Sequence, residues 1–277
     1  MKHTRPFQVV VAGAAACAAL LASPAAQGAN DDSAGSSVKA PQPPTFAEFE
    51  AATYRDHDGQ YIVNGDEPLA TTAELRAYYD RMVSSGDTDS QSLIVNQDGG
   101  VDDVWSASQA LDLTYCVSDD FGAEKDTVVD AMAAGAGQWE AASSGVDFTY
   151  VPSEDADCVT SNDNVLFSVE PVVTSEYIAR AFFPSSPDSE RNVLVADSLT
   201  TSGWAPENIL AHELGHVLGF RHEHTRPEAG TCFEDNNWRP LTPYDAASIM
   251  HYPQCNGATE DLSMSGTDRE GVASIYG

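Results

Sequence analysis

Positive charge is scarce in this chain of 277 residues: 13 lysines and arginines stand against 43 aspartates and glutamates, for a formal net charge of −30. Such a chain repels phosphate backbones and anionic lipid, so neither nucleic acid nor membrane insertion is expected. The acids are scattered and not blocked, which is the pattern of a solvated surface. Long hydrophobic runs are missing as well. The apolar stretch from Phe7 to Leu21 is too short to span a bilayer, and no later stretch approaches the required length. Cysteine is sparse, and none has the C-x-x-C spacing of a structural zinc site.

Residues 1–29 open with Lys2 and Arg5, run apolar, then turn small and polar through Ser23 to Ala29, which describes a secretory signal peptide. Its loss takes the formal charge from −30 to −32 by removing two bases and no acids. The protein is therefore expected to be secreted and extracellular. Cys17 has no leucine three residues before it, and the apolar run continues past it, which argues against a lipid anchor. The remaining cysteines, Cys116, Cys158, Cys232 and Cys255, imply two disulfides in an exported chain, with three connectivities open. Cys116–Cys158 with Cys232–Cys255 is preferred, because each pair brackets one local segment.

Residues 30–45 are rich in Ser, Pro, Gly and Asp and lack any apolar period, so a leader without structure of its own is expected. A small structured piece follows: a helix around FAEFEAATY, a strand in DGQYIVNGDEPL ending in an Asn64-Gly65 turn, and an amphipathic helix in TAELRAYYDRMV. After the polar SSGDTDSQ, a boundary is expected near residues 96–100. From Leu111 the pattern alternates. LDLTYCVS, VDFTYVP, NVLFSVEPV, YIARAFFP and RNVLVADSL read as strands. KDTVVDAMAAGAGQWEAAS reads as a long helix with Val128, Met132 and Trp139 inward. PENILAHELGHVLGF reads as a helix with Pro206 in its first turn and Gly219 at its end. Residues 221–245 show no period and read as loop. A last helix is expected from Thr267, with T-D-R-E as its capping box.

On the helix PENILAHELGHVLGF, His212 and His216 are four residues apart, one turn along the same face, so both imidazoles can reach one ion. Glu213 is rotated away from that ion and can address a water beside it. Gly219 lets the chain leave through a left-handed conformation that returns His222 as a third ligand. Three protein ligands leave one position open, the arrangement of a catalytic zinc and not of a closed structural one. Zinc would bring the pKa of water at that position towards about 7, and Glu213 would take its proton as general base.

The stretch from His212 to His222 fits H-E-x-x-H-x-x-G-x-x-H, and Ser248-Ile249-Met250-His251-Tyr252 supplies a methionine turn. Together they resemble the metzincin metallopeptidases. GFRHEHTRP and the turn look like the astacin branch, and the ending LSMSGTDREGVASIYG looks like the matrixin branch. The resemblance implies an α+β metzincin domain: a mixed, mainly five-stranded sheet with a long backing helix and a zinc-binding helix, then an irregular lower half closed by a short C-terminal helix. It implies one catalytic zinc on His212, His216 and His222, Glu213 as general base, and Met250 as an apolar floor. Tyr252 matches a tyrosine that swings to the oxyanion in the transition state. Glu223 matches a position that anchors a matured N-terminus, and the edge strand YIARAFFP is the one that pairs with extended polypeptide substrates. His224 is expected to be exposed and no ligand, and His251 to pack or hydrogen-bond.

The expected organisation is a signal peptide (1–29), a pro-segment (30–97) and a monomeric secreted zinc endopeptidase domain (98–277). No calcium site is derivable from the acids, and the stretch Asp56 to Glu67 has Tyr61 where a calcium loop needs glycine. Latency by a cysteine is excluded, since none lies between Ala29 and Cys116. Val63-Asn64-Gly65-Asp66 resembles the F-x-G-D of astacin pro-segments except at its first residue, and there the aspartate takes the open zinc position. A plain hairpin turn with an exposed aspartate remains the alternative. Two other functions also stay open: a metal-binding module without turnover, and a zinc hydrolase acting on a small amide.

Overall fold

The computed structural model describes residues 43–84 and 92–277. The expected signal peptide, most of the leader and most of the polar linker lie outside the described residues.

Residues 43–84 form a small unit of their own. Helix α1 (Phe46–Ala52) starts at a capping box between Thr45 and Glu48. Strands β1 (Tyr54–Arg55), β2 (Tyr61–Val63) and β3 (Glu67–Leu69) pair antiparallel in that order. Asn64 and Gly65, at φ 58° and 104°, make the turn between β2 and β3. Helix α2 (Thr72–Ser84) closes the unit, burying Leu75 and Tyr78 against Tyr61 and Val63, with Phe46, Phe49, Leu69 and Met82 around them.

The second part begins with β4 (Ser92–Asp98) and β5 (Val101–Asp102), followed by β6 (Leu113–Val117), α3 (Lys125–Ala142), β7 (Phe148–Tyr150) and β8 (Phe167–Val172). Then come β9 (Ala179–Arg180), β10 (Asn192–Ala196), α4 (Pro206–Val217), β11 (Phe220–Arg221), β12 (Trp238–Thr242) and α5 (Gly266–Tyr276). The main sheet has five strands in the order β7-β6-β8-β10-β9, parallel except for β9, which runs antiparallel at the edge. Val193 and Val195 point to one face and share a core with α3 and α4. Leu194 and Ala196 alternate to the other. On α3, Val128, Met132 and Trp139 are buried as expected, and the Trp139 indole N–H donates to Ala211 O of α4 at 2.7 Å. Both disulfides form in the preferred pairing, Cys116–Cys158 and Cys232–Cys255. No helix of the described residues is long and apolar enough to cross a membrane.

Four expectations are corrected. The boundary at residues 97/98 cuts through β4, whose Leu93, Ile94 and Val95 are buried and which pairs with both β11 and β12. By its pairing the whole of β4 belongs with the second part, because its partners Phe220 and Arg221 lie far along the chain. Residues 221–245 are not all loop, nor is the lower half irregular throughout: β12 lies there, and β11-β4-β12 with β5 make a second sheet. Pro240 and the absence of alternation hid β12, an outer strand where proline is tolerated. Helix α5 begins at Gly266 and its capping box joins Ser265 to Asp268, starting before the Thr267 of T-D-R-E. The strand expected in YIARAFFP shrinks to the two paired residues of β9.

Candidate metal centre

Helix α4 starts with Pro206 in its first turn and carries His212, Glu213 and His216, all buried. Its last carbonyls are taken up from outside the helix: Trp105 Nε1–H donates to Val217 O and Tyr276 O–H to Leu218 O, each at 2.7 Å. Gly219 then turns the chain at φ 94°. A Cβ there would fall 2.1 Å from Asp103 O, so both conformation and space require glycine. Strand β11 follows at once, paired with Val95 and Ile94, and delivers His222 back beside the helix.

The methionine turn is fastened from two sides. Glu223 N–H donates to Met250 O at 2.8 Å. Asp268, at the start of α5, accepts from Ser248 Oγ at 2.5 Å and from Ile249 N–H at 2.9 Å. Met250 is fully buried under α4, where a Cβ on Gly215 would meet its sulfur at 2.4 Å.

The three histidines converge with their ring orientations set by partners. His212 Nδ1 lies 2.7 Å from Ile249 O and His216 Nδ1 lies 2.8 Å from Phe220 O, so each carries its proton there and presents a bare Nε2. His222 Nδ1 faces Glu234 Oε1 at 2.7 Å and likewise turns Nε2 inward. The Nε2 atoms of His212 and His222 are 3.2 Å apart. Among them sits the carboxylate of Asp66: 3.3 Å from His212 Nε2, 3.7 Å from His216 Nε2 and 3.2 Å from His222 Nε2. Corners of a tetrahedron around zinc, with bonds of about 2.0–2.1 Å, stand roughly 3.3–3.4 Å apart. The four residues match that spacing and are all buried. His216 Nε2 and Asp66 Oδ1 have no hydrogen-bond partner, as expected of ligand atoms.

The electrostatics favour positive charge at this point. Burial opposes the charge on Asp66, yet His222 and His216 outweigh it and hold the carboxyl well below its usual range. Burial keeps His212 below the ordinary histidine range and therefore neutral. For His222 burial is outweighed by Asp66 and Glu234, which drive its pKa well up. Extra positive charge is thus drawn to a point lined by imidazole lone pairs and a carboxylate, and a zinc ion fits this donor set.

Glu213 is buried beside the cluster. Burial, then the Asp66 charge, raises its pKa well above the usual carboxyl range, and its Oε2 has no partner. The Tyr252 ring stacks on His212 with centroids 5.3 Å apart, and its hydroxyl donates to Asp66 Oδ2. Glu223 is fully buried; its Oε1 accepts from Asp245 N–H at 3.1 Å while Oε2 is left without a partner. His251 hydrogen-bonds with Tyr244, as expected. His224, expected at the surface, is instead buried between Glu234 and Tyr252, 3.1 Å from the former's Oε1. Asp66 is not exposed at a hairpin tip.

Sequence reasoning missed the groups that hold His222 from behind. Glu234 bridges His222 and His224, and Arg221 donates to it at 3.1 Å. Arg221 also pairs with Asp235 and, across from residues 43–84, with Glu67 at 3.1 Å. Arg81 of α2 reaches Asp235 at 2.7 Å. Burial, with Glu234 and Asp66 nearby, pushes Glu67 up to about 7 against the pull of Arg221. Glu234 and Asp235 lie in the stretch without period, so only tertiary contact reveals them.

No family model matches the chain. Among curated proteins it is 37% identical over 78 residues to zinc metalloproteinase nas-30 of Caenorhabditis elegans, which is 21% of this chain and 10% of that protein. It is 36% identical over 72 residues to high choriolytic enzyme 2 of Oryzias latipes, covering 20% of this chain and 25% of the relative. With human tolloid-like protein 1 it shares 34% over 91 residues, covering 25% and 9%. These relatives are astacin-family zinc metalloproteinases. The chain spans between about a tenth and a quarter of their lengths. The astacin likeness is local, and the zinc in the name of nas-30 agrees with the donor set of His212, His216 and His222.

Proposed function

We propose that this chain is a secreted zinc endopeptidase made in a latent form, with residues 43–84 holding its metal site closed. The observation that carries the reading is the carboxylate of Asp66 among the three Nε2 atoms. His212, His216 and His222 would hold zinc. When bound, it supplies Lewis-acid polarisation of a peptide carbonyl and a water that is nucleophilic near neutral pH. Glu213, buried and with an oxygen to spare, takes a proton from the attacking water and passes it to the departing amine. Tyr252, whose hydroxyl now bonds Asp66, is freed to donate to the oxyanion once Asp66 leaves.

Asp66 fills the position that water needs, and Gly65 and Asn64 supply the tight turn that presents it. Glu67, the residue after Asp66, is itself paired with Arg221, so release of Asp66 requires release of the whole unit. Because β4 is built into the second part, scission is proposed within residues 85–91, ahead of it. The unpartnered Oε2 of Glu223 supports its role in receiving the freed N-terminus.

The test is hydrolysis of casein by the uncut full chain, its Asp66→Ala variant and the processed protein, with zinc content measured on each. Asp66→Ala is expected to be active without processing while the wild type stays latent until cut. A fully active uncut wild type, or an Asp66→Ala variant as silent as wild type, would refute the reading.

A further inference from the structure

Residues 43–84 touch the second part at another place, on the face of the main sheet opposite α3 and α4. Leu194 and Ala196 of β10, Val172 of β8 and Tyr177 form an apolar cluster there with Ile62. Beside them the side chain of Arg180 is fully buried. Its Nε donates to Asp56 at 2.9 Å and its Nη2 to Asp58 at 2.5 Å. The Tyr177 hydroxyl also closes on Asp56, at 2.5 Å. Both carboxylates come from residues 43–84. Among the described residues the second part offers the guanidinium uncharged groups, Asn192 at 3.3 Å and the hydroxyl of Tyr177. Glu190 is near enough to sense the Arg180 charge but makes no hydrogen bond to it among the described contacts, and Glu170 accepts from Ser168 at 2.6 Å. A cavity of about 480 Å³, lined by Arg55, Asp58 and Gln60 on one side and Glu170, Glu190 and Asn192 on the other, runs along the seam.

We propose that this face is an exosite, uncovered when residues 43–84 are released, which docks an acidic stretch of a polypeptide substrate with Arg180 taking its carboxylate. The inference rests on the proposed release and peptidase activity. Its physical ground is what release leaves behind: an apolar patch around a guanidinium that has lost both of its hydrogen-bonded carboxylates. A charge held in such a collar is poorly hydrated and recovers most from a carboxylate that enters with its own apolar neighbour. Residues 54–62 display the matching pattern, Asp56 and Asp58 with Ile62 following on the next strand. Nucleic acid and anionic membrane also carry negative charge, but the strongly acidic remainder of the chain repels such extended polyanions. A short acidic segment meets that repulsion least.

The probe is a synthetic peptide of residues 53–63, which ends before Asp66 and cannot reach the histidines. It is titrated against the processed wild-type protein by fluorescence anisotropy. Saturable binding is expected with Kd on the order of micromolar. A peptide carrying Asp56→Asn and Asp58→Asn is expected to bind about 30-fold more weakly or worse, and Arg180→Gln in the protein to give the same loss. The peptide variant keeps the test independent of whether Arg180→Gln folds. At saturation the peptide should slow casein hydrolysis and leave a short fluorogenic substrate untouched. The proposal is overturned by no saturable binding below about 1 mM, by equal binding of the asparagine peptide, or by equal inhibition of both substrates. It is also overturned if the excised fragment stays bound to the processed protein. Binding without any hydrolysis would instead remove the peptidase reading and leave the docking face standing.

Discussion

The two histidines on α4 and the third on the segment behind it are moored in different ways. His212 and His216 get their spacing from one helical turn, and each ring is steadied by a backbone carbonyl that no substitution can delete. His222 gets its place from β11 pairing with β4, and its ring is steadied by a carboxylate, Glu234, inside a buried network of Arg221, Asp235 and Glu67. The difference teaches that one half of the site is written locally and the other is assembled. Residues 43–84 touch both halves through Asp66, but the assembled half is also reached from behind, through Glu67 on Arg221.

The largest effect is expected from removing the third ligand itself. His222→Ala in the processed protein should lose metal and activity together, whereas Glu213→Gln should keep near-stoichiometric zinc and lose at least about 10²-fold in activity. Metal analysis alongside casein hydrolysis separates them, and a zinc-loaded Glu213→Gln with normal turnover would end the general-base role. Next comes the tether of the assembled half. Cys232–Cys255 closes a loop with a sequence separation of 23, and replacing both cysteines by serine should cost about 3–4 kcal/mol in the chain-entropy model. Denaturant melts measure this, and an unchanged midpoint would show that the loop needs no tether.

Glu234→Gln sharpens the comparison directly. It leaves Nε2 of His222 in place but weakens the acceptor behind Nδ1, so zinc affinity should fall about 10–100-fold in chelator competition. Unchanged affinity would mean that His222 is as self-sufficient as the helical pair. The smallest effect is expected on the local side. Trp139→Phe removes the indole donor to Ala211 O and should destabilise by about 1–3 kcal/mol, with zinc affinity unchanged. A matching loss of affinity would show that α4 too depends on remote support.

This contrast also explains what could be read without coordinates. The helix of His212 and His216, the left-handed Gly219, the inward Val128, Met132 and Trp139, and the five strands of the main sheet all follow from short-range period and turn chemistry. Asp66 was legible as one of two alternatives, because Asn64-Gly65 forms its turn whether or not a metal site lies beneath it. Glu234, Arg221 and Asp268 were not legible as supports, since each acts on a residue brought near by folding. Strands β4 and β12 escaped for the same reason. Leu93-Ile94-Val95 is a short apolar run among polar neighbours, and its meaning lies in pairing with Val95↔Phe220 and Val95↔Arg239, far along the chain.

That pairing has a consequence for the order in which the protein is built. Contacts that close long loops form slowly, because the chain entropy they cost comes before the packing that rewards them. Helix α4 can assemble from neighbours within a turn, but β11 cannot reach β4 until most of the intervening chain has condensed. The third ligand is then expected to arrive after the helical pair. On the proposed reading a nascent chain would carry two ligands side by side on α4 and no complete site until β11 has paired with β4.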